Sequence, residues 1–226
     1  MRLRGLIIAI DGPSGAGKST VGRALAERLG YTYVDTGAMY RALAFRAIEE
    51  GIPLESEIEL TELAAGSRIE LTSGGRGVAV DGRDVTAQIR SREVSSAASR
   101  ASAFPGVRRE MVARQRELGR EGGVVLDGRD IGTAVFPDAE VKFFLDADPH
   151  RRAERRHGEL TAGGGTADME TVARDLRARD LADSTRLDSP LTQAEDAVYL
   201  DTTTLIPAEV VERMLAVVES RMANKG

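Results

Sequence analysis

The sequence of 226 residues lacks cysteine altogether, has few aromatic residues and contains no long apolar run. Without cysteine there can be no disulfide bond, thiolate metal site or catalytic thiol, which is compatible with a reducing cytoplasm. The only histidines, His150 and His157, lie in an arginine-rich run without other clustered ligands, so we expect no zinc site. The apolar run at residues 6–10 is too short for a signal peptide or a membrane span, and we expect a buried strand there.

The sequence also lacks an excess of basic residues, because its 36 acidic residues outnumber its 31 basic ones and the net charge is −5. General nucleic-acid binders are normally basic, so we expect no nucleic-acid partner. Lysine occurs only at positions 18, 142 and 225, so almost all of the basic residues are arginines. The planar guanidinium group suits phosphate recognition, but GC-rich codon usage would give the same excess, so composition alone selects no function.

Short apolar runs alternate with segments of helical periodicity, the pattern of βαβ units around a parallel sheet. We therefore predict an α/β fold. Five parallel strands are predicted at residues 6–10, 32–35, 123–127, 141–145 and 197–201. Helices are predicted at residues 18–29, 38–50, 57–65, 104–120, 150–159, 168–183 and 208–221.

Two stretches interrupt this alternation and are predicted to be appendages of a single core domain. Residues 68–86 alternate with period two and contain turn signals, so residues 53–95 are predicted to form an inserted subdomain with a small antiparallel sheet. Residues 149–167 combine a basic helix with three consecutive glycines, Gly163 to Gly165, which would suit a mobile lid that excludes water. The predicted core is residues 1–52, 96–148 and 168–226.

Residues 7–25, IIAIDGPSGAGKSTVGRAL, contain the phosphate-loop pattern G-x-x-x-x-G-K-[ST] between an apolar strand and a helical segment. Backbone N–H groups of such a loop and the helix N-terminus face a polyphosphate. Lys18 is expected to reach the β- and γ-phosphates, and the Ser19 hydroxyl to bind Mg²⁺. The predicted triphosphate-binding residues are Gly12, Pro13, Ser14, Gly15, Ala16, Gly17, Lys18, Ser19 and Thr20.

The class of triphosphate user can be narrowed by motifs that are missing. The chain has neither the Asn-Lys-x-Asp guanine reader of GTPases nor the Leu-Ser-Gly-Gly signature of transport ATPases. A compact kinase remains, in which catalysis consists mostly of positioning and electrostatic stabilisation of the transferring phosphoryl group.

The tetrapeptide Asp-Gly-Arg-Asp occurs twice, at residues 81–84 and 127–130. The first copy interrupts an alternating stretch, where Asp-Gly fits a two-residue hairpin turn. The second copy follows a continuous apolar run, so Arg129 and Asp130 are expected at the ligand-binding edge of the sheet. We predict a surface turn at the first copy and site chemistry at the second. Another strand end, VDTGAMYR at residues 34–41, offers a second arginine, although a capped helix beside a solvated arginine would look the same.

Together, IDGPSGAGKS, DTGAMYR, SAFPGVR, LDGRDIGTAVFPDA and EDAVYLDTT resemble the bacterial cytidylate kinase family over nearly the whole chain. The resemblance implies a P-loop kinase fold: a five-stranded parallel sheet flanked by helices, a small antiparallel β insert and a mobile lid. It implies transfer of the ATP γ-phosphoryl group to CMP or dCMP with Mg²⁺, in pyrimidine nucleotide metabolism. A monomer is also implied, and we expect a cytoplasmic protein without a membrane partner.

The resemblance further implies roles for individual residues. The acceptor's phosphate would meet Arg41, Arg129 and Arg186, the cytosine would meet Ser99, Arg108 and Asp130, and the sugar would meet Arg179 and Asp183. Thr36 and Gly37 complete the predicted acceptor site. A carboxylate such as that of Asp130 can accept a hydrogen bond from the cytosine N4 amino group, which uracil lacks.

The predicted catalytic residues are Lys18, Arg129 and three lid arginines, Arg152, Arg155 and Arg156. The lid arginines fall at i, i+3 and i+4 and could stabilise the transferring phosphoryl group, although a solvated basic helix gives the same pattern. Two alternatives stay open: a kinase of the same fold that phosphorylates UMP or another phosphorylated acceptor, and a regulatory protein that binds ATP without turnover. The choice between CMP and dCMP is also open.

Overall fold

The computed structural model describes residues 5–162, 166 and 168–223, without the side chain of Ser73. The predicted glycine loop of the lid, residues 163–165, lies outside the described residues. The chain divides into two compact units, of which one combines Met1–Tyr33 with Glu121–Gly226 and the other is the continuous segment Val34–Arg120. None of the described helices is both long and apolar enough to cross a membrane.

A five-stranded parallel sheet has its first strand in sequence at its centre. The strand order is β2 (Thr32–Asp35), β6 (Val124–Asp127), β1 (Ile7–Asp11), β7 (Val141–Asp146) and β8 (Val198–Asp201). Ile7 pairs with Val124 on one side, and Ile8 pairs with Val141 on the other. Every residue of β1 is buried, as expected for a parallel strand covered on both faces. The predicted five-stranded parallel sheet is confirmed.

Helices α1 (Lys18–Leu29), α6 (Pro149–Ala162), α7 (Met169–Thr185) and α8 (Pro207–Ala223) belong to the first unit. α1 packs against α8, and α6 against α7. A buried apolar cluster joins the sheet to α1 and α8 and includes Ile8, Ile10, Leu25, Phe143 and Met214. Apolar residues at helical spacing indicated α1, α7 and α8, whereas α6 was predicted as a basic helix and buries Arg152 and Ala153.

The second unit contains α2 (Thr36–Glu49), α3 (Glu57–Gly66), α4 (Arg92–Ala101) and α5 (Pro105–Gly119). It also contains an antiparallel sheet of β3 (Ile69–Thr72), β4 (Gly77–Val80) and β5 (Arg83–Asp84). The predicted meander is therefore present, and the predicted insert at 53–95 lies within this unit. Helix α4 was not predicted.

The first Asp-Gly-Arg-Asp copy forms the turn between β4 and β5. Asp81 and Gly82 both have positive φ, 50° and 83°, as a two-residue type I′ hairpin turn requires. The Asp81 side chain accepts a hydrogen bond from the Arg68 N–H at 2.8 Å and forms an ion pair with Arg46 at 2.6 Å. This copy is a turn on the surface, as predicted.

Candidate active site

The phosphate loop connects β1 to α1, and only glycine fits its backbone at critical positions. A Cβ on Gly12 would lie 1.9 Å from the Leu145 carbonyl oxygen, and Gly12 has φ of 143°. Gly17, with φ of 90°, is the residue before the first turn of α1. The loop therefore presents the N-terminus of a twelve-residue helix, where anionic phosphate groups are stabilised.

Lys18 is buried, and its ammonium group donates a hydrogen bond to the Pro13 carbonyl at 2.7 Å. Its pKa is lowered to about 7, chiefly by burial and then by the charge of Arg129, against the opposing effect of Asp127 and other carboxylates. The Lys18 side chain thus folds back over the phosphate loop, and its ammonium group lies beside the expected phosphate position.

Asp127, the last residue of β6, joins two neighbouring elements through its carboxylate. One oxygen accepts from the Ser19 hydroxyl at 2.8 Å and the other from the Tyr33 hydroxyl at 2.9 Å. A hydroxyl beside a carboxylate is a set of hard oxygen donors that fits Mg²⁺. The described residues contain no group of three or more acidic or histidine side chains able to hold a metal, so Mg²⁺ here would need ligands from nucleotide or water. Sequence analysis did not single out Asp127, although its place at the end of a buried strand was visible.

Arg129 connects the phosphate loop to helix α7. Its guanidinium group donates to the Ser14 hydroxyl at 2.5 Å and to the Asp183 carboxylate at 2.7 Å. Burial lowers the pKa of Arg129, but Asp183, Asp180 and Asp127 outweigh burial and the net shift is upward. The arginine therefore keeps its charge at a place where a phosphate-bearing ligand could exchange for one of these contacts.

Asp130 and Arg186, both predicted acceptor residues, form a buried ion pair at 3.3 Å. Arg186 follows the last residue of α7 and also donates to the Ser189 carbonyl at 2.6 Å. Arg179 lies on α7, one turn before Asp183. The structure thus brings the second Asp-Gly-Arg-Asp copy together with Ser14 and the end of α7. The site chemistry predicted for Arg129 and Asp130 stays a prediction.

The three lid arginines of α6 have three different environments. Arg152 is buried, donates to the carbonyls of Ala147 at 3.0 Å and Ser14 at 3.1 Å, and forms a short ion pair with Asp180.

The other two lid arginines are less buried. Arg155 donates to Thr202 through both its hydroxyl, at 3.0 Å, and its carbonyl, at 2.5 Å, and its pKa is lowered, mainly by burial. Arg156 pairs with the exposed Glu159 at 3.0 Å. A Cβ on Gly17 would lie 3.9 Å from Arg155 Nη1, so Arg155 has its charge near the end of the phosphate loop.

Asp11 is a buried site residue that sequence analysis missed. It is the last residue of β1, and its two oxygens accept from the N–H groups of Ile131 at 2.8 Å and Gly132 at 2.7 Å. Burial raises its pKa to about 6, with Asp130 raising it further, while the two N–H groups and Lys18 act in the opposite direction. The only sequence signal was an acidic residue at the end of an apolar strand.

The second unit carries the remaining predicted acceptor residues. Asp35 caps α2 by accepting the Ala38 N–H at 2.7 Å, and it forms an ion pair with Arg41 at 3.3 Å. The capped helix that was weighed as the alternative is therefore present, together with a paired rather than solvated arginine. Thr36 and Gly37 begin α2, Ser99 lies on α4, and Arg108 lies on α5 and is buried.

Comparison with known proteins bears on this arrangement. The model of the cytidylate kinase family matches residues 8–220. A cytidylate kinase of Solibacter usitatus is 49% identical over 221 residues, covering 97% of this chain and 94% of the relative. One of a Geobacillus species (strain WCH70) is 52% identical over 217 residues, covering 95% and 97%. A solved gluconokinase from Sinorhizobium meliloti 1021 matches with a TM-score of 0.51 at 21% identity, covering 100% and 97%, a likeness of fold alone. The chain belongs to the cytidylate kinase family.

Proposed function

We propose that this protein transfers the γ-phosphoryl group of ATP to CMP or dCMP, giving CDP or dCDP and ADP. Family membership over nearly the whole chain supports the reaction. The observation that carries it in the structure is Arg129, whose guanidinium group touches both the phosphate loop at Ser14 and the predicted sugar-binding Asp183. A cation between a donor loop and an acceptor residue is what phosphoryl transfer between two nucleotides requires.

In the proposed reaction, an oxygen of the acceptor's phosphate attacks the γ-phosphorus and the bond to the β–γ bridging oxygen breaks. The attacking oxygen is already anionic, so the protein does not need to remove a proton. Loop N–H groups and Lys18 would hold the donor phosphates, and Arg129 and Arg186 would hold the acceptor phosphate. Mg²⁺, when bound, would neutralise charge on the β- and γ-oxygens, and Ser19 and Asp127 offer the oxygens to hold it.

Charge on the transferring phosphoryl group needs a further cation, and among the lid arginines we favour Arg155. Arg152 is committed to two backbone carbonyls and a carboxylate, and Arg156 is paired with the carboxylate of Glu159. Arg155 lies near Gly17, and its guanidinium group donates to two uncharged oxygens of Thr202. An anionic phosphoryl oxygen could replace them and would form a stronger, charge-assisted hydrogen bond.

We also propose the acceptor roles of the second unit, in which Thr36, Gly37 and Arg41 bind near the acceptor phosphate and Ser99 and Arg108 bind the base. These roles rest on the family resemblance. Arg179 is proposed as a sugar ligand on the same ground. We further propose a cytoplasmic monomer that acts on small molecules without nucleic-acid or membrane partners, with residues 53–95 as the acceptor-binding insert and 149–167 as the lid.

Selection of the base is proposed to depend on Asp130. Cytosine offers an amino donor at N4, which a carboxylate accepts, whereas uracil offers a carbonyl oxygen at the same place and would leave a buried polar group unpaired. Mispairing of this kind costs far more than loss of an apolar contact, so a lead of CMP over UMP well above tenfold (on the order of a hundredfold) is expected.

The test is kcat/KM with Mg·ATP for CMP, dCMP, UMP, AMP and GMP, on wild type, Asp130→Ala and Asp84→Ala. Asp84 is the matched control, because it fills the same place in the first tetrapeptide, is exposed, and accepts hydrogen bonds from Thr86, including its N–H at 2.8 Å. We expect Asp130→Ala to abolish the lead of CMP over UMP and Asp84→Ala to preserve it. Equal use of UMP by wild type would refute the base assignment. Binding of ATP without transfer to any monophosphate would favour the regulatory alternative.

A further inference from the structure

The buried carboxylate of Asp11 links the end of β1 to the turn that follows the second Asp-Gly-Arg-Asp copy. Its two oxygens each accept one backbone N–H, from Ile131 at 2.8 Å and from Gly132 at 2.7 Å. The fit is close, because a Cβ on Gly132 would lie 3.3 Å from Asp11 Oδ2 and 3.1 Å from Lys142 Cδ. Asp11 precedes Gly12 of the phosphate loop, so one residue touches both motifs.

The turn held by Asp11, Ile131–Val135, is a single π-helical turn. The Asp130 carbonyl accepts the N–H groups of Ala134 at 2.9 Å and Val135 at 3.1 Å, so the turn closes on the base-reading residue. The N–H groups at the start of any helical turn have no acceptor inside it. Asp130 offers no side-chain cap to them, and Asp11 supplies the acceptors from a different strand.

We propose that Asp11 is a positioning residue that holds the backbone behind Arg129 and Asp130 and thereby sets the selectivity for the acceptor base. This inference rests on the proposed function, in which Asp130 meets the base. Asp11 contacts the turn through the backbone N–H groups of Ile131 and Gly132, the two residues that follow Asp130. Its effect is therefore expected to be larger on the acceptor than on ATP, which Asp11 influences through its charge interaction with Lys18.

The chemistry of the site favours such a role over simple packing. A carboxylate placed where only 4% of the residue is exposed is costly unless its hydrogen bonds are needed. The two carboxylate oxygens each accept one N–H group and so fix the position and the orientation of the turn. The amide of an asparagine has one acceptor and one donor and could satisfy only one of the two N–H groups. Of the charged groups near it, Lys18 attracts the carboxylate and Asp130 repels it, so the two N–H groups carry the orientation.

The test compares wild type with Asp11→Asn. The amide keeps the size of the side chain but turns a donor toward one of the two N–H groups. Because small displacements of a reacting group have large kinetic effects, we expect the KM for CMP to rise about 10- to 100-fold. The ratio of kcat/KM for CMP to that for UMP should fall with it. The Kd for ATP, measured by titration of ATP alone, should rise far less than the KM for CMP, since a displaced turn leaves the loop N–H groups in place and the lost charge acts only on Lys18.

Asp196→Asn is the matched control. Asp196 makes an ion pair with Lys142 at 2.9 Å, and the stem of Lys142 lies near Gly132, where a Cβ would be 3.1 Å from Lys142 Cδ. This variant makes the same chemical change next to the same turn without touching the Asp11 contacts. We expect the KM for CMP and the base selectivity to stay at the wild-type values.

Three results would overturn the inference: an unchanged KM for CMP in Asp11→Asn, an equal loss of CMP and ATP binding, or an equal effect of Asp196→Asn. If Asp11→Asn does not fold, Gly132→Ala tests the same contact, because its methyl group would lie 3.3 Å from Asp11 Oδ2, closer than an ordinary contact. It should raise the KM for CMP, by less than Asp11→Asn, and an unchanged KM would refute the inference. A wild type that does not prefer CMP over UMP would refute the proposed function instead.

Discussion

The buried Asp11 carboxylate should leave a signature in the pH dependence of folding. Burial raises its pKa from the ordinary 3.8 to about 6, against the effect of the two N–H groups and of Lys18 and with that of Asp130. The aliphatic stem of Lys142 also lies near Gly132 and adds to the exclusion of water. Replacing Asp11 by Asn removes this titration and leaves the neighbouring charges in place.

The magnitude follows from the difference between the pKa in the folded and unfolded states. A rise of roughly two units corresponds to about 3 kcal/mol in the free energy of unfolding. Because the folded pKa is the higher one, the stabilisation is complete below the unfolded pKa and is lost as the pH rises through about 6. Relative to Asp11→Asn, the wild type should therefore lose stability with rising pH, by about 2 kcal/mol between about pH 4.5 and 8.

The assay is urea denaturation of both proteins at closely spaced pH values, with the free energy of unfolding taken by linear extrapolation. Subtracting the variant from the wild type cancels the titrating groups that do not interact with Asp11 and leaves the titration of Asp11 together with its coupling to Lys18. A difference that stays constant with pH, or that grows in favour of the wild type as the pH rises, would refute the idea that Asp11 is held ionised at a cost in the folded state.

Other substitutions test separate contacts. Arg152→Ala should lower the free energy of unfolding by about 3 kcal/mol, because it leaves the partly buried Asp180 carboxylate without its cation. Arg156→Ala, at an exposed ion pair, should lower it by less than about 0.5 kcal/mol. Equal losses of the two variants in urea denaturation would contradict this. Gly82→Ala should cost about 1 kcal/mol through its φ of 83° without altering kcat/KM, and a kinetic defect would speak against a plain turn. Tyr33→Phe should cost about 1 kcal/mol by removing the hydrogen bond to Asp127, and an unchanged melting temperature would argue against that bond.

Periodicity predicted the parts of the fold in which burial follows a simple pattern. The strands β1 and β6 are buried at every position because both of their faces are covered, and the helices α1 and α8 have apolar residues at helical spacing. Helix α4 escaped prediction because its buried face consists of Val94 and the alanines 97, 98 and 101, a stripe too weakly apolar to stand out among serines. Its Ser91 cap, which accepts the Val94 N–H at 3.1 Å, was the available signal.

The candidate site was predictable where a short motif determines the chemistry and not where partners come from distant strands. The phosphate loop and the contrast between the two Asp-Gly-Arg-Asp copies depend on local context, which the sequence contains. The partners of Asp11 lie more than a hundred positions away in sequence, so no spacing rule could pair them. Helical spacing likewise placed Arg152 and Arg155 near one face, but the acceptors of each, such as Thr202, depend on tertiary structure.

The central place of β1 has a consequence for how the chain is made. Ribosomes add about 5 to 20 residues per second, and β1 pairs with β6 and β7, which leave the ribosome more than a hundred residues later. During those seconds the continuous segment Val34–Arg120, which has its own apolar cluster, is completed and can begin to fold. During this time the run Ile7–Ile10 has neither of its two strand partners. This apolar run is therefore the segment for which chaperones and neighbouring nascent chains would compete.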